Sequence, residues 1–365
     1  MPPPILHHLR LPLTPYSRAS KLQSILFNLH LLYKSSLTTP NPIPQPPPYL
    51  ITASFNPIYT FGRREVSKNP PESVLDLLSH DEAEIAYTPR GGQVTFHGPG
   101  QIVAYPIIDL KRHDLSPKCY IRVLENAIIR VLENWDIKGF TTDEAGVWVR
   151  RDRKVASVGV NLRRWVSSHG VALNVDVDLE WFKRIVACGL DGVEMWSMKK
   201  EWRYQLKDRE DRGLPDEKAV FATKIIQFRG KVLKEAVVDS IVMHIKDGIG
   251  CQETKEITVE EVEELGEKYG LTDKGDGVEV LRGSDFYHLR SWGRAGLIHK
   301  AKGNLEKALE SQEEHRLIPD HIRDPDERAI TDEDCWELKE DDSPTFSGNL
   351  QLSKKTKAAS KTKEN

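Results

Sequence analysis

The spacing of apolar and polar positions changes several times along the chain, and each change marks an element. Over residues 16–34, Leu22, Ile25, Leu26, Leu29 and Leu32 recur at helical spacing and predict a first helix. Residues 38–48 (TTPNPIPQPPP) form a proline-rich connector that can pack neither as helix nor as central strand. Two short strands broken at Asn56-Pro57 follow over 49–61, then a short helix at 71–79 and a strand at 85–88. Ser116-Pro117 has the form of a helix start, and Ile121, Leu124, Ile128, Val131 and Leu132 mark the inward face of a helix running to about Trp135. Strands are predicted at 147–149, 155–162 and 171–175. A short helix opens at Asp178, carries Leu179, Phe182 and Ile185, and ends at Ala187-Cys188-Gly189. Residues 203–218 read as a charged loop, and Val237, Ile241 and Ile245 stripe a helix over 232–245. Beyond Gly250 charge dominates: 258–268 and 301–315 read as isolated helices and 340–365 as a disordered tail.

One stretch breaks this rhythm. Arg90 to Asp109 reads RGGQVTFHGPGQIVAYPIID, with four glycines in the first eleven residues. Glycine serves where φ turns positive or where another group must approach the backbone closely. The pattern predicts a strand at Val94-Thr95-Phe96, a tight turn through His97-Gly98-Pro99-Gly100 and a second strand from Ile102, exposing backbone amides and an imidazole at a sheet end. It contains neither the phosphate-binding G-x-x-x-x-G-K-[ST] nor a dinucleotide G-x-G-x-x-G opening a helix. A glycine-rich hairpin without function is the alternative.

Composition narrows the classes. The 365 residues carry a formal net charge of −3, which gives no reason to propose a nucleic acid partner. No apolar run approaches the roughly 18 residues a membrane span needs. Cys119, Cys188, Cys251 and Cys335 are far apart with no C-x-x-C pair, unlike a disulfide framework or a zinc site, and fit a reducing compartment. The first acidic residue is Glu65, preceded by Arg10, Arg18, Lys21, Lys34, Arg63 and Arg64. This acid-poor start has the composition of a mitochondrial transit peptide, while its helical spacing equally suits the first helix of a domain.

Two residues carry candidate chemistry. Cys188 stands between a helix end and a glycine, and Lys154 opens the strand-like run KVASVGVNLRR. Alone, each has an ordinary reading, as a small apolar filler and as a solvated edge charge. Together they form a workable nucleophile, because a nearby ammonium favours the reactive thiolate and a partly buried lysine can exchange protons. Such a pair suits acyl transfer through a thioester, with glycine-loop amides as the oxyanion site.

The ordered segments RGGQVTFHGPGQ, GVWV…RKVASVG, SHGVALNV and DLEWFKRIVACGL resemble octanoyltransferases, which share the biotin/lipoate protein ligase fold. The resemblance runs from about Leu9 to Val193, more weakly to about Gly250. It implies an α/β (α+β) domain with a mixed, mainly antiparallel sheet flanked by helices and a charged C-terminal extension. The division expected is an N-terminal segment 1–8, a catalytic domain 9–250 with its proline-rich loop at 38–48, a partly helical extension 251–339 and a tail 340–365.

The activity implied is transfer of an octanoyl group from octanoyl-acyl carrier protein, through a cysteine thioester, to the lysine ε-amine of lipoyl domains. Cys188 matches the nucleophile and Lys154 the lysine that tunes it. Arg90, Gly91, Gly92, Gln93, Val94, Thr95, Phe96 and His97 match stretches lining the acyl pocket, as do Ser157, Val158, Gly159, Gly170, Val171 and Ala172. His169 reads as a polar support or as a satisfied structural histidine. No metal or other cofactor is implied. The partners implied are the acyl carrier protein and the lipoyl domains of 2-oxoacid dehydrogenases and the glycine cleavage H protein, with a mitochondrial location in a eukaryote. Arg63, Arg64, Arg150, Arg151, Arg153, Arg163 and Arg164 are candidate docking charges for an acidic carrier. Ala187 and Phe96 depart from the family's usual proline and tyrosine. The rivals are an ATP-dependent lipoate–protein ligase on the same fold and a non-catalytic scaffold.

Overall fold

The first strand, β1 (Ile5–Thr14), is followed by a 21-residue helix, α1 (Tyr16–Ser36). The structure is a computed structural model and describes residues 3–66, 83–212, 231–272 and 280–281. Leu22, Ile25, Leu26 and Leu29 of the predicted stripe are buried, and so are Gln23, Ser24 and His30 off the stripe. A helix covered on more than one face needs no strong polar moment. Here the sheet lies on one side and a C-terminal helix (Val259–Lys268) on another, where Gly266 meets Ile25. The N-terminal basic residues therefore belong to folded elements, and removing residues 1–36 would delete a strand and a helix of the domain.

The strands continue as β2 (Tyr49–Phe55), β3 (Ile58–Phe61), β4 (Glu84–Tyr87), β5 (Thr95–His97), β6 (Gln101–Ile107), β7 (Gly146–Arg150), β8 (Arg153–Arg163), β9 (Val166–Asn174), β10 (Glu194–Met195), β11 (Glu253–Ile257) and β12 (Val280–Leu281). They form two sheets. The larger runs β10-β8-β9-β6-β2-β1-β11, with β7 also paired to β8, and the smaller runs β12-β4-β3-β5. Four pairs of the larger sheet are antiparallel, while β1 is parallel to both its neighbours and β10 is parallel to β8. The expected α/β class, a mixed sheet flanked by helices, is the observed one. On one face lie α2 (Pro117–Glu133) and α4 (Lys231–Gly248), whose stripe Val237, Ile241 and Ile245 is buried. On the other lie α1 and α5 (Val259–Lys268). Ser116 caps α2 by accepting from the Cys119 amide with Pro117 next to it, the start that the sequence predicts.

The glycine-rich stretch is not a hairpin. β5 pairs with β3 in the small sheet and β6 with β2 and β9 in the large one, so the turn between them carries the chain from one sheet to the other. Gly100 sits there at φ +92, where a Cβ would lie 2.3 Å from the Asp176 carbonyl oxygen. Only glycine fits that approach.

Several expectations change. Residues 203–211, the first part of the stretch read as a charged loop, belong to helix α3 (Met198–Asp211), because Ser197 caps the Lys200 amide and Met198 and Trp202 are buried anchors. The boundaries read at 8/9 and 250/251 cut through the sheet: β1 starts at Ile5, and Glu253–Ile257 pairs with it in register from Ile5↔Glu253 to Leu9↔Ile257. The helix at 258–268 is capped by a Thr258/Glu261 capping box and packs on α1 rather than standing alone. The helices expected at 71–79 and 301–315 and the tail at 340–365 lie outside the described residues. No described helix is long and apolar enough to cross a membrane.

Candidate active site

Between the two sheets runs a buried chain of hydrogen bonds anchored in the glycine-rich stretch. The Arg90 guanidinium donates to the Thr60 carbonyl (2.6 Å), the Thr60 hydroxyl (2.9 Å) and the Gly91 carbonyl (3.0 Å). Thr60 Oγ1 lies 3.2 Å from His97 Nε2, and His97 Nδ1 lies 2.6 Å from Gln101 Oε1. Gln101 Nε2 donates to the Phe96 carbonyl and to Asn174 Oδ1, and Asn174 Nδ2 to the Trp196 carbonyl. Gln101 spends its N–H groups elsewhere, so its oxygen accepts from His97 Nδ1–H, and Nε2 accepts from Thr60. That assignment requires a neutral imidazole. Burial, with the Arg90 charge beside it, pushes the His97 pKa down to about 4. Thr60 and Gln101, which the sequence reading did not single out, are as much part of this chain as Arg90 and His97.

Arg90 is buried, and no carboxylate among the described residues pairs with it. Burial lowers its pKa, and Cys188 is the largest charge influence in the other direction. Gly91 donates to the Val160 carbonyl (2.9 Å), which lays the loop against the edge of β8. Gly92 adopts φ +87.

The two small-residue triplets lie side by side on neighbouring strands. Ser157 pairs with Ala172, Val158 with Val171 and Gly159 with Gly170. Both glycines serve close packing: a Cβ on Gly159 would stand 3.2 Å from Arg90 Cδ and the Gly91 oxygen, and one on Gly170 2.2 Å from the Ala104 oxygen. Next to them the β6–β9 ladder stops at Ala104↔Val171, because Pro106 has no N–H to offer. His169 takes a left-handed backbone (φ 58) at that break, and its own N–H goes to Gln23 Oε1 at 2.7 Å. It is not the satisfied histidine of the alternative reading. Its ring is buried, neither nitrogen has a hydrogen-bond partner among the described residues, and burial followed by the Arg90 charge pushes its pKa down to about 3.

Cys188 is reached from Asp178, which caps a 3-10 turn (Leu179–Arg184) and not an α-helix. Trp181 of that turn stacks on Phe96 (5.1 Å, 2° between planes), and Tyr59 Oη donates to the Trp181 carbonyl (2.8 Å). The chain extends at Ile185 and closes a second 3-10 turn (Ala187–Gly189), with Cys188 itself at φ 59, ψ 11. The Cys188 amide donates to the Val94 carbonyl (2.8 Å), and Sγ lies 3.5 Å from Ser157 Oγ. The thiol is half-buried and free. At Gly189 a Cβ would overlap Gln93 Oε1, so Gln93 closes over the turn. The structure thus brings Cys188, the glycine-rich stretch and β8 to one place.

Lys154 lies three residues before Ser157 on β8 and is 2% exposed. Its amine donates to the Ala145 carbonyl at 2.7 Å and lies 5.3 Å from the centre of the Trp148 ring. No hydrogen bond joins it to Cys188; the hydroxyl in contact with the thiol is that of Ser157. Beyond Lys154 stands Glu125 of α2, 1% exposed, whose Oε1 accepts from the Gly146 amide at 2.8 Å. The sequence signal for it was present: a glutamate one position after Leu124, within the inward stripe of an amphipathic helix. Of the candidate docking arginines, Arg150 pairs with Glu201 and Arg153 with Glu194, whereas Arg151 and Arg164 are exposed.

Comparison with known proteins adds the following. Residues 28–208 match the lipoyl protein ligase A/B catalytic domain family. A Schizosaccharomyces pombe protein described as a probable octanoyltransferase is 45% identical over 192 residues, covering 52% of this chain and 83% of that one. A mitochondrial octanoyl-[acyl-carrier-protein]:protein N-octanoyltransferase of Danio rerio is 37% identical over 186 residues, covering 51% and 78%. Among solved structures, a bi-partite lipoate protein ligase from Thermoplasma acidophilum aligns with a TM-score of 0.44 and 14% identity, over 73% of this chain and 93% of that one.

Proposed function

This chain belongs to the octanoyltransferase family and is an acyltransferase of protein lipoylation; we propose that it works through Cys188 as a covalent carrier of the octanoyl group. In the first half-reaction the Cys188 thiolate attacks the carbonyl carbon of octanoyl-acyl carrier protein. A new S–C bond forms, the bond from that carbon to the carrier's sulfur breaks, and the departing thiolate takes up a proton. In the second, the unprotonated ε-amine of a lipoyl-domain lysine attacks the same carbon. The N–C bond forms, the Cys188 S–C bond breaks, and the amine's surplus proton is released. The thioester already carries the activation, so no ATP is consumed.

The observation that carries this reading is the place of Cys188. It is a free, half-buried thiol on left-handed backbone, with Sγ 3.5 Å from Ser157 Oγ and its amide held by Val94. A thiolate needs positive charge close by, and Arg90 and Lys154 are the buried cations of this region. Lys154, with its amine held on the Ala145 carbonyl, is also the amine we assign to the proton given up by the incoming nucleophile. The acyl chain would lie along Arg90–His97 and the paired triplets of β8 and β9, each buried methylene contributing about 0.8 kcal/mol. The acceptors would be the lipoyl domains of 2-oxoacid dehydrogenases and the glycine cleavage H protein. The location would be mitochondrial, as the Danio rerio relative's name states of that protein.

Intact-protein mass spectrometry after mixing the purified chain with octanoyl-acyl carrier protein, without ATP, tests the reading. An octanoyl adduct that hydroxylamine removes, and that Cys188→Ala lacks, is expected. No adduct, with lipoyl-domain modification only on adding ATP, would establish a ligase in which Cys188 is structural.

A further inference from the structure

One peptide group lies between two buried charged side chains. The carbonyl of Ala145 accepts from Lys154 Nζ at 2.7 Å, and the amide of the same peptide unit, that of Gly146, donates to Glu125 Oε1 at 2.8 Å. The carboxylate, the peptide dipole and the ammonium thus stand in series, each aligned to strengthen the next. Glu125 and Lys154 are 1% and 2% exposed. The two make no direct ion pair, so the peptide is their connection. The backbone is shaped for it: Gly146 has φ +131, and a Cβ there would stand 2.4 Å from Lys154 Cε and 2.5 Å from the Ala156 oxygen. A residue with a side chain could neither turn this peptide nor leave room for the lysine.

We propose that Glu125 is a positioning residue for Lys154, acting through the Ala145–Gly146 peptide to hold the amine in place and to favour its charged form. This rests on the reading that Lys154 serves the Cys188 reaction. The charged groups facing Glu125 are Arg122, one turn earlier on α2 and 2.9 Å away, and Lys154 from β8; β7 presents only the Gly146 amide. Burial raises the Glu125 pKa, and both cations oppose that rise, as an electrostatic link to Lys154 requires. Arg122 is 43% exposed and competes with Lys154 for the same carboxylate. Removing either partner of Lys154 in this series therefore has a predictable sign. Without the Glu125 charge the ammonium is less favoured, and without Arg122 it is more favoured.

The test is the pH profile of octanoyl-enzyme formation, read by intact mass on the full chain with octanoyl-acyl carrier protein, at matched melting temperature. Glu125→Gln keeps an oxygen for the Gly146 amide and loses only the charge. The limb assigned to Lys154, defined as the one that Lys154→Ala abolishes, is expected to move to lower pH by about one unit. Arg122→Gln, at the surface, should move it the other way by a smaller step and serves as the second route if Gln at 125 does not fold. The Glu125→Gln change in the Lys154→Ala background should have no further effect on the profile. An unmoved limb in both single variants, with Lys154→Ala still abolishing it, would leave Glu125 as packing only and overturn the inference. Should Lys154→Ala itself leave the profile intact, the lysine reading fails first and takes this one with it.

Discussion

Cys188 rides on the small sheet and Lys154 on the large one, and the two are held in opposite ways. The cysteine sits on a three-residue turn in left-handed backbone, half-open to solvent, fastened by one amide bond to Val94 and by the Phe96–Trp181 stack behind it. The lysine stands in an 11-residue strand, sealed from solvent, with its amine on a carbonyl that a glutamate orients from the other side. A nucleophile that must accept a large acyl donor and then release the acyl group needs access and some give. A group that sets charge and moves protons needs a fixed place and a fixed surrounding. On the proposed reading of Cys188 and Lys154, the fold assigns these demands to different sheets and joins the sheets through the Arg90–Thr60–His97–Gln101–Asn174 chain.

The contrast is easiest to break with alanine. Cys188→Ala should bring transfer to background with only a small drop in melting temperature, since its bond to Val94 is made by the backbone and the side chain gives up only the Ser157 contact. Lys154→Ala should lower transfer by about 10²–10⁴-fold and also cost stability, about 1–3 kcal/mol for the buried Ala145 carbonyl left without its donor. Parallel activity assays and thermal melts distinguish them; equal stability loss in both would mean that the two sites are held alike.

Acid should separate the regions next. His97 and His169, on the Arg90 side, have pKa values pushed down to about 4 and about 3. In the unfolded chain a histidine titrates near 6.5, so below that pH the unfolded state binds protons that the folded state refuses. Their contribution to stability is full above pH ~6.5 and falls away as the pH drops toward 3. Glu125, on the Lys154 side, has the opposite sign: its raised pKa means that protonation relieves its burial. Denaturant melts between pH 7 and 3.5 should show a falling stability whose slope flattens in a His97→Gln variant and steepens in Glu125→Gln.

Two smaller effects complete the series. Gly146→Ala should cost about 1–3 kcal/mol, because the new methyl meets the Ala156 backbone oxygen and the lysine stem, neither free to retreat. Ser157→Ala removes the thiol's polar neighbour, worth about 1 kcal/mol, and should slow acyl-enzyme formation only several-fold. A loss comparable to that in Lys154→Ala would make the hydroxyl a participant in the reaction.

The sequence showed the elements whose period was clean: α1, α2 and the stripe of α4 lie where apolar spacing puts them. The two triplets that the family resemblance picked out lie side by side in register, from Ser157↔Ala172 to Gly159↔Gly170. Helix α3 escaped because its surface is so charged that two anchors, Met198 and Trp202, were its main apolar signal. The assignment of β5 and β6 to different sheets was beyond reach, since a strand–turn–strand pattern looks the same whether or not its strands pair. Glu125 was missed because a single glutamate on an inward stripe has meaning only once the peptide opposite it is known.

The position of β1 has a consequence for how the chain comes to be folded. Its outer edge is closed by Glu253–Ile257, about two hundred and fifty residues downstream. During synthesis this edge must wait for those residues to be made, an arrangement of high contact order that slows folding and leaves an open strand to pair with other chains. A nascent chain halted before β11 would offer that edge to chaperones or to its own copies, so the segment that the sequence suggested was an appendage is the one that finishes the sheet.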